Sequence, residues 1–173
     1  MATGRNKFIT ELFKEINDDA SLLNTTYKKV GNGGPLGLLF KYAFTTEGKF
    51  LLPEGDPPYK PNANPIGMTQ AIFQQEIVRF YVFCRADLTP AKRETMFVQL
   101  LESIHPTEAK VLLAIKDQQL TKLYPNITRK LVADAGFIPP LTDAELKAEA
   151  AAVKPSARKP GRPRKSDSPQ PAL

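Results

Sequence analysis

The sequence predicts an all-α fold, a small irregular helical bundle with an extended proline-rich crossover and a disordered basic C-terminal tail. Apolar residues recur at three- and four-residue spacing in several separate segments. Three of those segments open on a proline, which the first helical turn tolerates because its amide would be unbonded anyway. Pro53, Pro57, Pro58, Pro61 and Pro65 crowd into thirteen residues and forbid helix and most sheet pairing there, since each removes a backbone donor.

Phe8, Ile9, Leu12, Phe13 and Ile16 lie on one face of a helix expected over residues 6–17, with Asn17-Asp18-Asp19 as its stop. A second short helix is expected from Ala20 to Val30, ending at Gly31. The glycines of Gly31-Asn32-Gly33-Gly34 lose too much backbone freedom to hold regular structure, and Pro35 then opens a third helix reaching Phe44. Residues 45–67 form the crossover, an extended polyproline-like strip that Leu51, Leu52 and Tyr59 anchor to the body.

Met68 to Arg85 reads as the strongest helix, with Ile72, Phe73, Ile77, Phe80, Tyr81 and Cys84 on its apolar face and Phe83 off it. Thr89-Pro90 opens the next helix, striped by Met96, Phe97, Leu100, Leu101 and Ile104; His105-Pro106 opens another, bearing Ala109, Leu112, Leu113 and Ile115. Asn126 is placed to cap a last core helix carrying Leu131, Val132 and Ala135 and ended by Gly136. Thr142 and Glu145 have the spacing of a capping box, which predicts a weakly apolar spacer helix over 143–152. The organisation expected is a helical globular domain over 1–140, a spacer over 141–153 and a tail over 154–173, whose five prolines and dense charge cannot bury enough surface to offset chain entropy.

Charge is segregated along the chain. Six of the 24 basic residues but only one of the 18 acidic residues fall in 154–173, which leaves 18 basic against 17 acidic in the rest. A solvated basic arm on a near-neutral body suits a polyanion, most often nucleic acid. One cysteine and one histidine remove the usual zinc ligand sets. No metal site or cofactor is expected. No apolar run approaches the roughly 20 residues of a membrane span, and no secretory pattern opens the chain, so a cytoplasmic protein without membrane contact is expected.

Leu51-Leu52-Pro53-Glu54-Gly55-Asp56-Pro57-Pro58-Tyr59-Lys60-Pro61, Phe97-Val98-Gln99-Leu100-Leu101-Glu102-Ser103-Ile104-His105-Pro106 and Leu120-Thr121-Lys122-Leu123-Tyr124-Pro125 carry a resemblance over roughly Lys7 to Val132. The chain resembles a family of small proteins of unknown function from large contractile-tailed bacteriophages. That resemblance implies action in the cytoplasm of an infected bacterial host and supplies no catalytic residues.

The sharpest local motif is Arg158-Lys159-Pro160-Gly161-Arg162-Pro163-Arg164-Lys165, which resembles an AT-hook. In such a motif an extended Arg-Gly-Arg-Pro core lies in the narrow minor groove of A·T-rich DNA, with glycine allowing close approach and arginine following the negative potential. Gly161, Arg162 and Pro163 match; Pro160 replaces the first core arginine and weakens the basis for A·T preference. Arg158, Lys159, Arg164 and Lys165 are the phosphate contacts expected around them. The bland alternative is a solubilising tail with no specific partner, or one that docks on an acidic protein.

Elsewhere the bland readings dominate. His105 before a helix-opening proline is an N-cap or a packed ring before it is a general base, and no orienting partner is signalled. Cys84 on an apolar face is a buried hydrophobe before it is a nucleophile. The glycine-rich run 31–37 lacks the Gly-Lys-Ser/Thr ending of a P-loop and reads as a connector. Glu102, Glu108 and Asp117 form no magnesium-binding set and read as solvated acids. The strip around Pro57, Pro58 and Tyr59 is either a partner-binding surface or a loop wrapped over its own core, and Phe83, off the apolar face, marks a candidate interface. The function expected is a non-enzymatic accessory DNA-binding protein whose tail contacts DNA while its body contacts host or phage DNA-transaction proteins. The alternative is an adaptor or virion component whose tail only adds charge.

Overall fold

In the computed structural model, residues 7–27, 34–140, 142 and 144 are described. The chain divides into two units at Pro140, of which Met1–Pro140 is the described compact unit. The predicted spacer helix lies almost wholly outside the described residues, and the tail entirely so. Among the described residues there are eight α-helices and no strand.

Helix α1 (Ile9–Asp18) buries Ile9, Phe13 and Ile16, as their spacing requires. Phe8 has no side-chain acceptor to cap it; instead the Glu11 carboxylate accepts from the Phe8 amide at 3.0 Å. The expected helix over 20–30 is a different object: Leu23–Tyr27 is a π-helical turn. The Thr25 hydroxyl donates to the Ser21 carbonyl at 3.0 Å, taking the acceptor an α-helical amide would use, and the turn widens.

Helix α2 (Pro35–Phe44) has the predicted bounds. The crossover then runs without regular structure to Ile72, and its early carbonyls, which no strand partner takes, are taken by side chains from later in the chain. Arg129 Nη1 donates to Phe44 O at 2.8 Å, Gln118 Nε2 to Thr45 O at 2.7 Å, Arg93 Nη1 to Leu51 O at 2.6 Å and Lys116 Nζ to Pro53 O at 2.8 Å. Further along, Glu102 accepts from the Lys60 amide, and its carbonyl from Asn62.

The single helix expected over Met68–Arg85 is three short pieces: α3 (Phe73–Glu76), a 3₁₀ turn (Ile77–Arg79) and α4 (Tyr81–Cys84). It starts late because Gly67 turns the chain at φ +86°, and the Ala71 amide is drawn to Ser103 O at 3.1 Å instead of into a helix. The 3₁₀ turn advances three residues per turn rather than 3.6, which rephases the buried face to Phe73, Ile77, Phe80 and Phe83. Phe83 is therefore only 4% exposed, packed between Phe50 and Phe97, and not the off-face interface residue its helical position suggested, while Ile72 and Tyr81 turn outward.

Helices α5 (Pro90–Ser103) and α6 (Pro106–Lys116) open on the predicted prolines. Helix α6 is buried on almost every face, packing against α1, α2, α5 and the short α7 (Leu120–Leu123), which the sequence reading did not anticipate. The last helix, α8 (Arg129–Asp134), is capped by Thr128, whose hydroxyl accepts from the Leu131 amide at 3.2 Å. Asn126, the predicted cap, instead bonds Asn17 twice and ties the end of α1 to the approach to α8. Gly136 at φ +81° closes α8, with the Phe137 amide donating to Val132 O and the Gly136 amide to Ala133 O. Replacing the cap, Thr128→Ala, is expected to lower stability by about 1 kcal/mol, read as a shift in urea midpoint at unchanged slope, whereas Asn126→Ala should leave α8 helicity intact.

Two aromatic groups fill the core. Tyr42, Phe50, Phe73, Phe80, Phe83 and Phe97 stack around the start of the crossover, and Phe13, Phe40, Tyr124 and Phe137 around α1 and α2.

Candidate functional site

Three buried charged side chains stand out in an apolar interior: Arg93, Glu108 and Lys116. Each is set by a helix end. Arg93 is in the first turn of α5, on the same stripe as Phe97 and Leu101, and its guanidinium donates to Leu51 O, Arg85 O (2.6 Å) and Leu88 O (2.9 Å). Lys116, in the last turn of α6, pairs with Asp117 and with Pro53 O. Both serve the crossover, and together they hold a proline-walled cleft of about 220 Å³ lined by Leu52, Pro53, Pro57, Pro58, Phe97 and Lys116, with Glu54, Asp56 and Glu94 beside it. Tyr59 packs on the core, and burial, helped by the Asp56 charge, raises its hydroxyl above the usual range. Pro57 is half-buried and Pro58 exposed, so the strip is a loop wrapped over its own core whose outer edge remains accessible.

Glu108 is the third. It occupies the third position of α6, where its carboxylate accepts from the His105 amide while His105 Nδ1 accepts from the Thr107 amide. His105 is thus the N-cap of α6. Burial pushes the Glu108 carboxyl up to about 7, against the opposing pull of the His105 amide. The residue is 4% exposed and lines a cavity of about 470 Å³ with Phe8, Thr69, Phe73, Gln74 and Gln75. It is not the solvated acid that dispersed carboxylates suggest, whereas Glu102 is exposed and Asp117 is tied to Lys116. Its signal in the sequence was its place three residues after a His-Pro helix start.

Cys84 is half-buried, its thiol donating to Gly48 O at 3.5 Å and raised by burial although Lys41 and Arg93 oppose the shift. It stays protonated at neutral pH. Gly34 caps α2 and Gly37 is buried within it, so the described part of the glycine-rich run belongs to that helix and its entry. Val78 and Tyr81 are more than half exposed, and Tyr81 borders a cleft of about 270 Å³ shared with Met96 and Leu100. Among the described residues no group of three or more His, Cys, Asp or Glu side chains is placed to hold a metal ion, and no helix is long and apolar enough to cross a membrane. Arg158, Lys159, Gly161, Arg162, Pro163, Arg164 and Lys165 lie outside the described residues.

No curated protein and no solved structure matches the chain. The sequence model of a family of unknown function, DUF6433, matches residues 13–122, which run from the middle of α1 through most of α7 and include the crossover, Arg93, Glu108 and Lys116. With well over half of its length covered, the chain belongs to that family.

Proposed function

We propose that this chain is a non-enzymatic accessory protein of a contractile-tailed bacteriophage, acting in the cytoplasm of the infected host. Its tail contacts DNA and its helical body contacts a protein of the DNA-transaction machinery. The observation that carries this reading is charge segregation: five of the six net positive charges fall in the last twenty residues, in a stretch that holds the AT-hook-like core Gly161-Arg162-Pro163. Arg162 is the minor-groove residue, Gly161 and Pro163 shape the chain around it, and Arg158, Lys159, Arg164 and Lys165 contact phosphates. The body supports the second half of the proposal with apolar side chains left exposed on and just before the short helical pieces α3 and α4, at Ile72, Val78 and Tyr81.

A single hook lacking its first core arginine binds weakly alone, and a second contact by the body raises its effective concentration on the target. The test is fluorescence anisotropy of the full chain and of residues 1–153 against A·T-rich and G·C-rich duplexes over a salt series. Binding by the full chain alone is expected, with log affinity falling at about −0.9 per phosphate neutralised against log salt. Arg162→Ala should remove the A·T preference, while Lys165→Ala weakens both duplexes alike. Equal binding by the truncated chain would move the DNA contact to the body, and no binding by either would leave an adaptor or virion component with a solubilising tail.

A further inference from the structure

We propose that the cavity beneath Glu108 is a binding site for a protonated amine, an alkylammonium group whose charge pairs with the Glu108 carboxylate and whose carbon stem lies against Phe8, Ile72 and Phe73. The cavity opens where the residue before α1, the start of α2, the end of the crossover and α3 come together, and its volume of about 470 Å³ is in the range of small-molecule sites.

The lining chemistry selects the ligand. A carboxylate has about four acceptor positions, and the His105 amide fills one. No Lys, Arg or His stands among the described residues that line the cavity, and Glu108 is the one charged side chain among them. Of the neighbouring polar groups, the Gln74 amide gives one of its two N–H donors to Lys7 O, and the Thr69 hydroxyl gives its single donor to Ala71 O at 2.9 Å. Each of the two also carries a side-chain oxygen that can accept. An ammonium carries three donors and no acceptor, and complements the Glu108 carboxylate and these oxygens; a carboxylate or phosphate is repelled by the ionised Glu108.

The same geometry couples binding to protons. Empty, the site favours the neutral acid, because a buried charge without a partner is costly. A bound cation supplies the partner and favours the carboxylate. Near pH 6 the exchange is therefore the acid plus the alkylammonium giving the ion pair, with one proton leaving to solvent; at pH 8 the carboxylate is already ionised and little is released.

Calorimetric titration of the full chain with n-butylammonium chloride and with Nα-acetyl-lysine methylamide tests this, using n-butanol and butyrate as controls. Saturable binding of an ammonium probe is expected, about tenfold tighter at pH 8 than at pH 6, as the fraction of ionised Glu108 dictates. Proton release near one at pH 6 is read from buffers of different ionisation enthalpy. Glu108→Gln should weaken binding at least tenfold at pH 8 and remove the proton release at pH 6. Binding of both probes identifies a free amine as sufficient, and binding of the lysine probe alone identifies a lysine side chain of a partner protein. The proposal is overturned if neither ammonium probe saturates, if butanol or butyrate binds as well, if affinity ignores pH, or if Glu108→Gln binds as tightly as the native chain.

Discussion

Arg93→Met is expected to destabilise the protein by about 3 kcal/mol, because three backbone carbonyls lose a charged donor at once. Arg93 is 5% exposed, and its guanidinium spans Leu51 O in the crossover and Arg85 O and Leu88 O in the turn before α5. Methionine keeps most of the stem volume, so the substitution isolates hydrogen bonding from cavity formation. The gross loss is larger, since bonds to charged groups contribute about 1.5–3 kcal/mol each, but removing a buried cation returns part of its desolvation cost. For a domain of this size the change corresponds to a fall in Tm of roughly 10 °C. Arg93→Lys should be intermediate, because a single ammonium cannot reach both ends of the fork.

The pattern of damage matters as much as its size. Hydrogen exchange in Arg93→Met should accelerate first at the Leu51 amide, which donates to Phe83 O at 2.9 Å, and at the Lys60 amide, while the centre of α6 stays protected until global unfolding. Uniform acceleration, or a loss of stability below about 1 kcal/mol, would show that the crossover is held by its apolar contacts at Phe50 and Tyr59 and not by the guanidinium.

Much of the helical scaffold was legible because its signals are local. Pro35, Pro90 and Pro106 each stand at the first residue of a helix, and Gly136 ends α8, as proline and glycine chemistry dictates within a few residues. The errors came where a distant group takes over a backbone bond. Nothing near Met68 reveals that the Ala71 amide will be drawn to Ser103 O, yet that bond delays α3 and, with the 3₁₀ turn after it, carries Phe83 into the core. Asn126 looked like a cap because asparagine caps helices, but Asn17, far away in sequence, satisfies it. Arg93 was half legible: an arginine four residues before Phe97 and eight before Leu101 sits on an apolar stripe, and such a residue is either snorkelling or bonded inside. Glu108 was hidden more deeply, because the groups that share its cavity, Phe8 and Phe73 to Gln75, come from distant parts of the chain.

Glu108→Gln is expected to make the protein more stable at pH 8 and to remove a slope from its stability curve. In the folded chain the carboxyl holds its proton up to about 7, against 4.5 for the free group. Between those values the folded state binds more protons than the unfolded state, so stability is fullest at the acid end and falls as pH rises through 7. The loss is on the order of 3 kcal/mol across the window, since the two values, 4.5 and about 7, differ by about 2.5 units at about 1.4 kcal/mol each. Asp19 and Asp87, whose carboxyls are held below the usual range by Ser21 and by Arg85 respectively, act in the opposite sense, but only in more acid solution, near and below 3.8. They leave the window clear. Glutamine keeps the shape and an acceptor for the His105 amide while carrying no charge, so the stability of the variant relative to the native chain should rise by about 2–3 kcal/mol between pH 5 and pH 8. Urea unfolding at pH 5, 6.5 and 8 measures this directly. Parallel curves for the two proteins would mean that Glu108 is ionised and solvated in the folded state, and saturating n-butylammonium should flatten the native curve alone by giving the carboxylate its missing partner.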